Sequence, residues 1–285
     1  LNEYTHHLGV AYVNGRLYVI GGAVYHFQHP DVLGGATNTV YTYNPDTEDW
    51  DQVAPMLEAR AYFGVTTFAG MIYCVGGEDA AKGNLDTIER YDPETGRWSY
   101  VVRLQNGGRI GSAVTVYRGE LYIVGGYMSA NVKNMNMLDT VQCYNLLLQR
   151  WETRASLPES RCHSQLVVAS GNMYLLGGRG RIDNGENGPV RSLPSVHRYN
   201  YHMDIWERVA NMRIPRHDAG CAVVGGKIYI IGGMVCDGQS KDKTGGIDNT
   251  MCLDSVECYN TETGRWEDCA PMQYKAAGLS ACAVP

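Results

Sequence analysis

The sequence predicts an all-β propeller of four-stranded blades, and three recurrences carry that expectation. One phrase occurs five times: Leu-Tyr-Val-Ile-Gly-Gly (17–22), Ile-Tyr-Cys-Val-Gly-Gly (72–77), Leu-Tyr-Ile-Val-Gly-Gly (121–126), Met-Tyr-Leu-Leu-Gly-Gly (173–178) and Ile-Tyr-Ile-Ile-Gly-Gly (228–233). Its first glycines are separated by 55, 49, 52 and 55 residues, and a period of about 50 with a double glycine marks a propeller blade. In each unit a tyrosine is followed seven residues later by a tryptophan: Tyr43/Trp50, Tyr91/Trp98, Tyr144/Trp151, Tyr199/Trp206 and Tyr259/Trp266.

Each unit is expected to build its strands in one order. An apolar stretch such as Gly-Val-Ala-Tyr-Val (9–13) makes the inner strand. A glycine six residues before the double glycine (Gly15, Gly70, Gly119, Gly171, Gly226) turns the chain into the second, buried strand. That strand ends on the double glycines Gly21-Gly22, Gly76-Gly77, Gly125-Gly126, Gly177-Gly178 and Gly232-Gly233. The third strand reads like Thr-Ile-Glu-Arg-Tyr-Asp (87–92), and an Asx-started turn such as Asp92-Pro-Glu-Thr-Gly96 reverses the chain into the fourth. All five tryptophans are used by the rule, as wedges between blades.

Only the stretch from the double glycine to the next tyrosine varies, at 21, 14, 18, 21 and 26 residues. A rigid frame with one variable loop per repeat is how a scaffold presents a binding surface.

Composition bounds the function. The 285 residues read as one all-β domain, and a net charge of −6 argues against a nucleic-acid partner. No apolar run is long enough for a membrane helix, and no signal-peptide pattern opens the chain. Nine cysteines without a Cys-x-x-Cys pair read as small buried hydrophobes in a reducing, cytoplasmic setting. Cys236 and Cys252, in one long loop, are the pair open to a disulfide or redox reading.

The segments Leu-Asp-Ser-Val-Glu-Cys-Tyr-Asn (253–260), Gly-Arg-Trp (96–98, 264–266) and Ala-Pro-Met (54–56, 270–272) resemble the kelch repeat of the Kelch-like (BTB-BACK-Kelch) family over the whole chain. The repeats fall at about 6–58, 59–107, 108–159, 160–214 and 215–274, with a closing strand in 275–285. The resemblance implies a six-bladed propeller behind a BTB domain that self-dimerises and recruits a cullin scaffold, while the propeller captures a protein for ubiquitination. Five full units and a final inner-strand-like segment, Gly-Leu-Ser-Ala-Cys-Ala-Val (278–284), depart from that count. The expectation is that three further strands precede Leu1 and that 278–284 completes their blade. A five-bladed ring with a spare strand is the alternative.

The candidate site lies where each unit enters its inner strand. Arg60, Arg109, Arg161 and Arg216 stand 16 residues before the double glycine; the first unit has Thr5 there and the last half-unit has Lys275 nearby. Two readings stay open: a guanidinium bonded to carbonyls or acids of the frame, or a fork that pairs with a partner's carboxylates. Family resemblance implies that this position and those just after it line the partner pocket, which adds His7, Tyr62, His163, His217 and Asp218. The loops add Tyr25, His26, Phe27 and His29, then Arg179, Arg181 and Arg191, then Lys241 and Lys243. The partner is expected to be a protein or short peptide, acidic in character.

No catalytic triad order, paired carboxylate box or phosphate-cradling loop occurs. The chain is therefore expected to be non-catalytic, without cofactor or metal; His26 and His29 lack a third donor. The leading reading is the substrate receptor of a cullin–RING ubiquitin ligase. An actin-associated or other non-ligase kelch scaffold is the runner-up, and a propeller oxidase resembling galactose oxidase is third.

Overall fold

A computed structural model describes residues 5–25, 33–128, 136–181, 189–237, 240–241, 247–248 and 250–284. Among them are five four-stranded antiparallel sheets and no helix. The first blade runs Gly9–Val13, Arg16–Ile20, Val40–Asn44, Asp49–Val53. The second runs Gly64–Phe68, Met71–Val75, Thr87–Asp92, Arg97–Arg103. The third runs Ala113–Tyr117, Glu120–Val124, Val141–Asn145, Arg150–Thr153. The fourth runs Gln165–Ala169, Asn172–Leu176, Val196–Asn200, Ile205–Arg208. The fifth runs Gly220–Val224, Lys227–Ile231, Val256–Asn260, Arg265–Cys269. In every blade the strands pair in chain order, so the predicted propeller is what the chain forms.

Register explains the Tyr–Trp spacing. Each tyrosine pairs directly with its tryptophan across the third and fourth strands, with ring centroids 4.9 to 5.1 Å apart. The indole N–H of Trp98 donates to the Ala54 carbonyl at 2.9 Å, that of Trp206 to Ala155 at 3.2 Å and that of Trp266 to Ala210 at 2.8 Å. Each bond crosses to the preceding blade, which makes these side chains wedges. The second unit has one residue more between its tryptophan and its arginine, and a bulge opposite Ile88/Glu89 absorbs it.

Trp151 corrects the expectation of five equivalent wedges. It is half-buried, packed on the cluster of Leu104, Leu121 and Tyr144 between the second and third blades. Among the described residues, however, its indole N–H meets no acceptor in the preceding blade. The acceptors Ala54, Ala155 and Ala210 lie just past the ends of their fourth strands. In the second blade that strand runs on to Arg103, which the bulge makes the equivalent residue, and Arg103 is still paired with Thr87 in the ladder. Trp151 is thus a wedge by packing alone.

The double glycines are required by conformation and space. Gly77 has φ of 91°, and a Cβ there would stand 2.6 Å from the Ala61 carbonyl oxygen. Its N–H donates to the Arg109 carbonyl of the next blade at 2.8 Å, and Gly22, Gly126, Gly178 and Gly233 make the same link to Arg60, Arg161, Arg216 and Ala276.

Four core clusters lie between successive blades. Accordingly the second strands of the middle three blades are buried on both faces from Ile72, Leu121 and Met173 onward. The first and fifth blades have one face only half covered, at Leu17 and Val19 and at Tyr229 and Ile231. Trp50, on the first blade, also departs from the wedge rule, being 41% exposed whereas Trp266 is 7% exposed. Residues 278–284 form no strand ladder, yet they lie between those two blades. The Val10 N–H donates to Ser280 Oγ at 3.2 Å, and Leu279 and Ala281 pack over Gly220.

Candidate partner-binding mouth

The residue two after each arginine position adopts a left-handed backbone: His7, Tyr62, Gly111, His163, Asp218 and Gly278, with φ from 51° to 65°. The six residues close a cycle in which Tyr62 N–H donates to His7 O (3.2 Å), Gly111 to Tyr62 (2.8 Å), His163 to Gly111 (2.8 Å), Asp218 to His163 (3.2 Å), Gly278 to Asp218 (3.0 Å) and His7 to Gly278 (3.2 Å). Six positions thus surround the channel, and residue 278 supplies the sixth.

The variable loops share this end. The residue before each ring member pairs with the chain leaving the double glycine: His6 with Ala23, Ala61 with Glu78, Ile110 with Tyr127, Cys162 with Arg179 and His217 with Met234.

Two of the six positions are glycines, and that makes room for rings. A Cβ on Gly111 would stand 3.0 Å from the His163 imidazole, and one on Gly278 2.8 Å from that of His7. Asp218 gathers the polar groups: His163 Nδ1 is 2.7 Å and His7 Nε2 3.6 Å from its Oδ1. Burial opposes charging of both Asp218 and His163. The opposite charge beside each overcomes it, holding the carboxyl well below and the imidazole well above their usual ranges. Tyr62 stacks on His7 at 4.1 Å and turns its edge to His163 at 6.0 Å, while Tyr127 lies 5.7 Å from His163. Burial pushes the Tyr62 phenol up to about 12 and raises the Glu78 carboxyl as well. Below these groups a cavity of about 120 Å³ opens along the channel, lined by Tyr62, Phe63, His163, Asp218 and Leu279.

The arginines are not at this mouth. Arg60, Arg109, Arg161 and Arg216 are 0%, 3%, 1% and 0% exposed. Each Nη1 donates to the first glycine of the double glycine: to the carbonyls of Gly76 (2.7 Å), Gly125 (3.2 Å), Gly177 (3.0 Å) and Gly232 (2.8 Å). Three also pair with carboxylates: Arg60 with Glu89, Arg161 with Glu159, and Arg216 with Glu257 at 2.6 Å. Arg109 has Gln142 where its neighbours have Glu89 and Glu257, and bonds Thr140 instead; burial lowers its pKa to about 10. The fork-to-partner reading is corrected accordingly: these guanidiniums are sealed into the frame. His217 is also buried, with Nδ1 2.8 Å from Ser192 Oγ, and burial lowers its pKa to about 4.

Of the loop candidates, Tyr25 ends a strand, Ala23–Tyr25, and Arg179 lies in Arg179–Arg181 beside Cys162 with its Nε buried and unbonded. His26, Phe27, His29 and Lys243 lie outside the described residues. Cys236 and Cys252 carry free thiols, one buried and one exposed. Sequence reasoning missed Glu78 and the ring membership of Gly111 and Gly278, and reached Tyr127 only as the first residue of a variable loop. Alignment of Arg109-x-Gly111 and Ala276-x-Gly278 with Arg60-x-Tyr62 is the signal that reaches these two glycines.

The family model described as the Attractin/LZTR1 beta-propeller matches residues 2–239, and the Kelch motif matches 244–273. The chain belongs to the kelch β-propellers. It is 29% identical to Kelch-like protein 26 of Danio rerio over 92% of this chain and 39% of that protein. Identity to Kelch-like protein 36 of Bos taurus is 29%, over 98% and 42%. Beta-scruin of Limulus polyphemus is 26% identical over 98% and 29%. This kelch propeller therefore spans less than half the length of these relatives. The solved structure of YjhT shares the fold, with a TM-score of 0.72 at 16% identity, covering 93% of this chain and 83% of that one.

Proposed function

We propose that the loop-bearing end captures a segment of a protein, with the His7–Tyr62–His163–Asp218 cluster at the centre of the contact and Tyr25 and Arg179 at its rim. In the parent protein the captured chain is presented to a cullin–RING ubiquitin ligase, recruited through a BTB domain outside this chain that also forms the dimer. The observation that carries this reading is the convergence of six ring positions and the variable loops on one open mouth. Likeness to Kelch-like proteins supports the ligase setting. The propeller's own part is non-catalytic. The acidic character expected of the partner rested on the four arginines, and their burial removes that basis.

A cytoplasmic setting fits nine thiols with no disulfide among the described residues. Among those residues no helix is long and apolar enough to cross a membrane. A non-ligase scaffold is the second reading, favoured by the match to beta-scruin along nearly the whole chain.

Affinity capture of the intact parent protein separates the two. The ligase reading expects a cullin to co-purify with wild type and with Tyr62→Ala/His163→Ala alike, and the captured protein with wild type only. Absence of cullin from both samples contradicts it.

A further inference from the structure

The opposite end of the propeller carries the turns between third and fourth strands, and five equivalent turns can be compared. Three of them have an acid and then a threonine at their centre: Asp46-Thr47, Glu94-Thr95 and Glu262-Thr263. The adjacent third and fourth blades instead read Leu146-Leu147-Leu148 and Tyr201-His202-Met203, and Ile205 opens the strand that follows. Folding does not ask for this change. Asn145 Oδ1 accepts the N–H groups of Leu147 and Leu148, and Asn200 Oδ1 that of Met203, just as Asp92 and Asn260 cap the polar turns. Nor are the side chains buried: Leu147 is 77%, Leu148 60%, Met203 66% and Ile205 39% exposed.

One surface joins the two turns. Leu147 Cδ1 lies 3.9 Å from where a Gly119 Cβ would be, and next to it the Arg118 guanidinium sits over the rings of Tyr117 (5.4 Å) and Tyr201 (4.8 Å). Arg150 and Arg154 are paired with Glu152 and Glu120. Arg118 is exposed and has no carboxylate within reach among the described residues.

We propose that this patch is a second docking surface, opposite the mouth, for a partner segment that sets two or more large apolar side chains beside a carboxylate. A contiguous apolar patch on a soluble domain marks an interaction site, and the uncompensated Arg118 sets the sign of the partner. Self-pairing through the same patch places two Arg118 guanidiniums together. An anionic membrane meets Asp46, Glu94 and Glu262 on the same end.

The probes are two fluorescent dodecapeptides, each with three leucines, one with four glutamates and one with four lysines, titrated against the whole chain. The glutamate peptide should bind more tightly than the lysine peptide. Leu148→Ser/Met203→Ser should weaken it about tenfold or more, since each buried large apolar side chain contributes roughly that factor. Arg118→Gln should weaken it a few-fold and flatten its salt dependence. Leu57→Ser, an exposed apolar residue elsewhere, should change nothing. These residues are exposed, so the variants should keep the wild-type melting temperature. Equal affinity across all variants overturns the proposal, as does preference for the lysine peptide. So does self-association, or binding to phosphatidylserine-containing vesicles, that Leu148→Ser/Met203→Ser abolishes.

Discussion

Replacing Arg216 by Met should destabilise the domain far more than the same change at Arg109, although both side chains are buried. Glu257 receives Arg216 Nη2 at 2.6 Å and the N–H groups of Arg213 and Ile214 at 2.7 and 3.2 Å. Arg216→Met leaves that carboxylate buried and without its counter-charge, a loss of about 3–5 kcal/mol. Arg109 faces no carboxylate. The carbonyls it bonds keep other donors, Ser112 Oγ for Gly125 and the Gly125 N–H for Thr140. Arg109→Met should therefore cost only about 1–2 kcal/mol, the scale of its own hydrogen bonds. The double change Arg216→Met/Glu257→Leu should recover most of the loss, because an apolar pair of similar volume replaces a desolvated ion pair at little net cost. Urea denaturation of the three variants, compared at equal m-value, reads these differences. Equal losses for Arg216→Met and Arg109→Met refute the assignment of the carboxylate as the deciding group. An Arg216→Met protein that keeps its stability but no longer binds a partner returns the arginines to the binding surface.

Trp98→Ala removes an indole that stacks on Tyr91 and bonds the preceding blade, and should cost about 3–5 kcal/mol in thermal or chemical unfolding. Trp50→Ala, already half open to solvent, should cost clearly less. Deleting 278–284 breaks the six-membered ring at Gly278 and should lower the unfolding midpoint of the whole domain, not of one blade. The buried neutral His217 makes stability depend on pH. Its folded pKa is depressed from 6.5 to about 4, so its contribution is fully present above pH 6.5 and is lost as pH falls toward 4. The loss is about 3 kcal/mol, and His217→Gln should remove that slope from a pH series of unfolding midpoints.

The blades were legible because their signals are local: Tyr43 and Trp50 sit seven apart and become direct neighbours across one turn. The double glycines were legible for the same reason, since left-handed backbone at Gly21-Gly22 has a sequence mark. What each tryptophan does beyond its own blade was less so, because the acceptor that Trp151 lacks depends on how far the neighbouring blade's last strand runs. The fate of the arginines was not legible. Their counter-charges come from two places, Glu89 and Glu257 on third strands and Glu58 and Glu159 two residues before their arginines, and Arg109 has neither, so no one spacing announces every pair. The mouth was half legible. His7, Tyr62, His163 and Asp218 follow the arginine position by rule, whereas Glu78 and Tyr127 reach it only through the bridges that fold each loop back beside the ring.

The claim that the loop-bearing mouth captures the partner is tested most directly by hydrogen exchange of the parent protein with and without a captured partner. Protection should appear in residues 6–7, 61–62, 162–163 and 217–218 and in the loops after the double glycines. Unchanged exchange at all of these, with protection confined to other surfaces, contradicts the account.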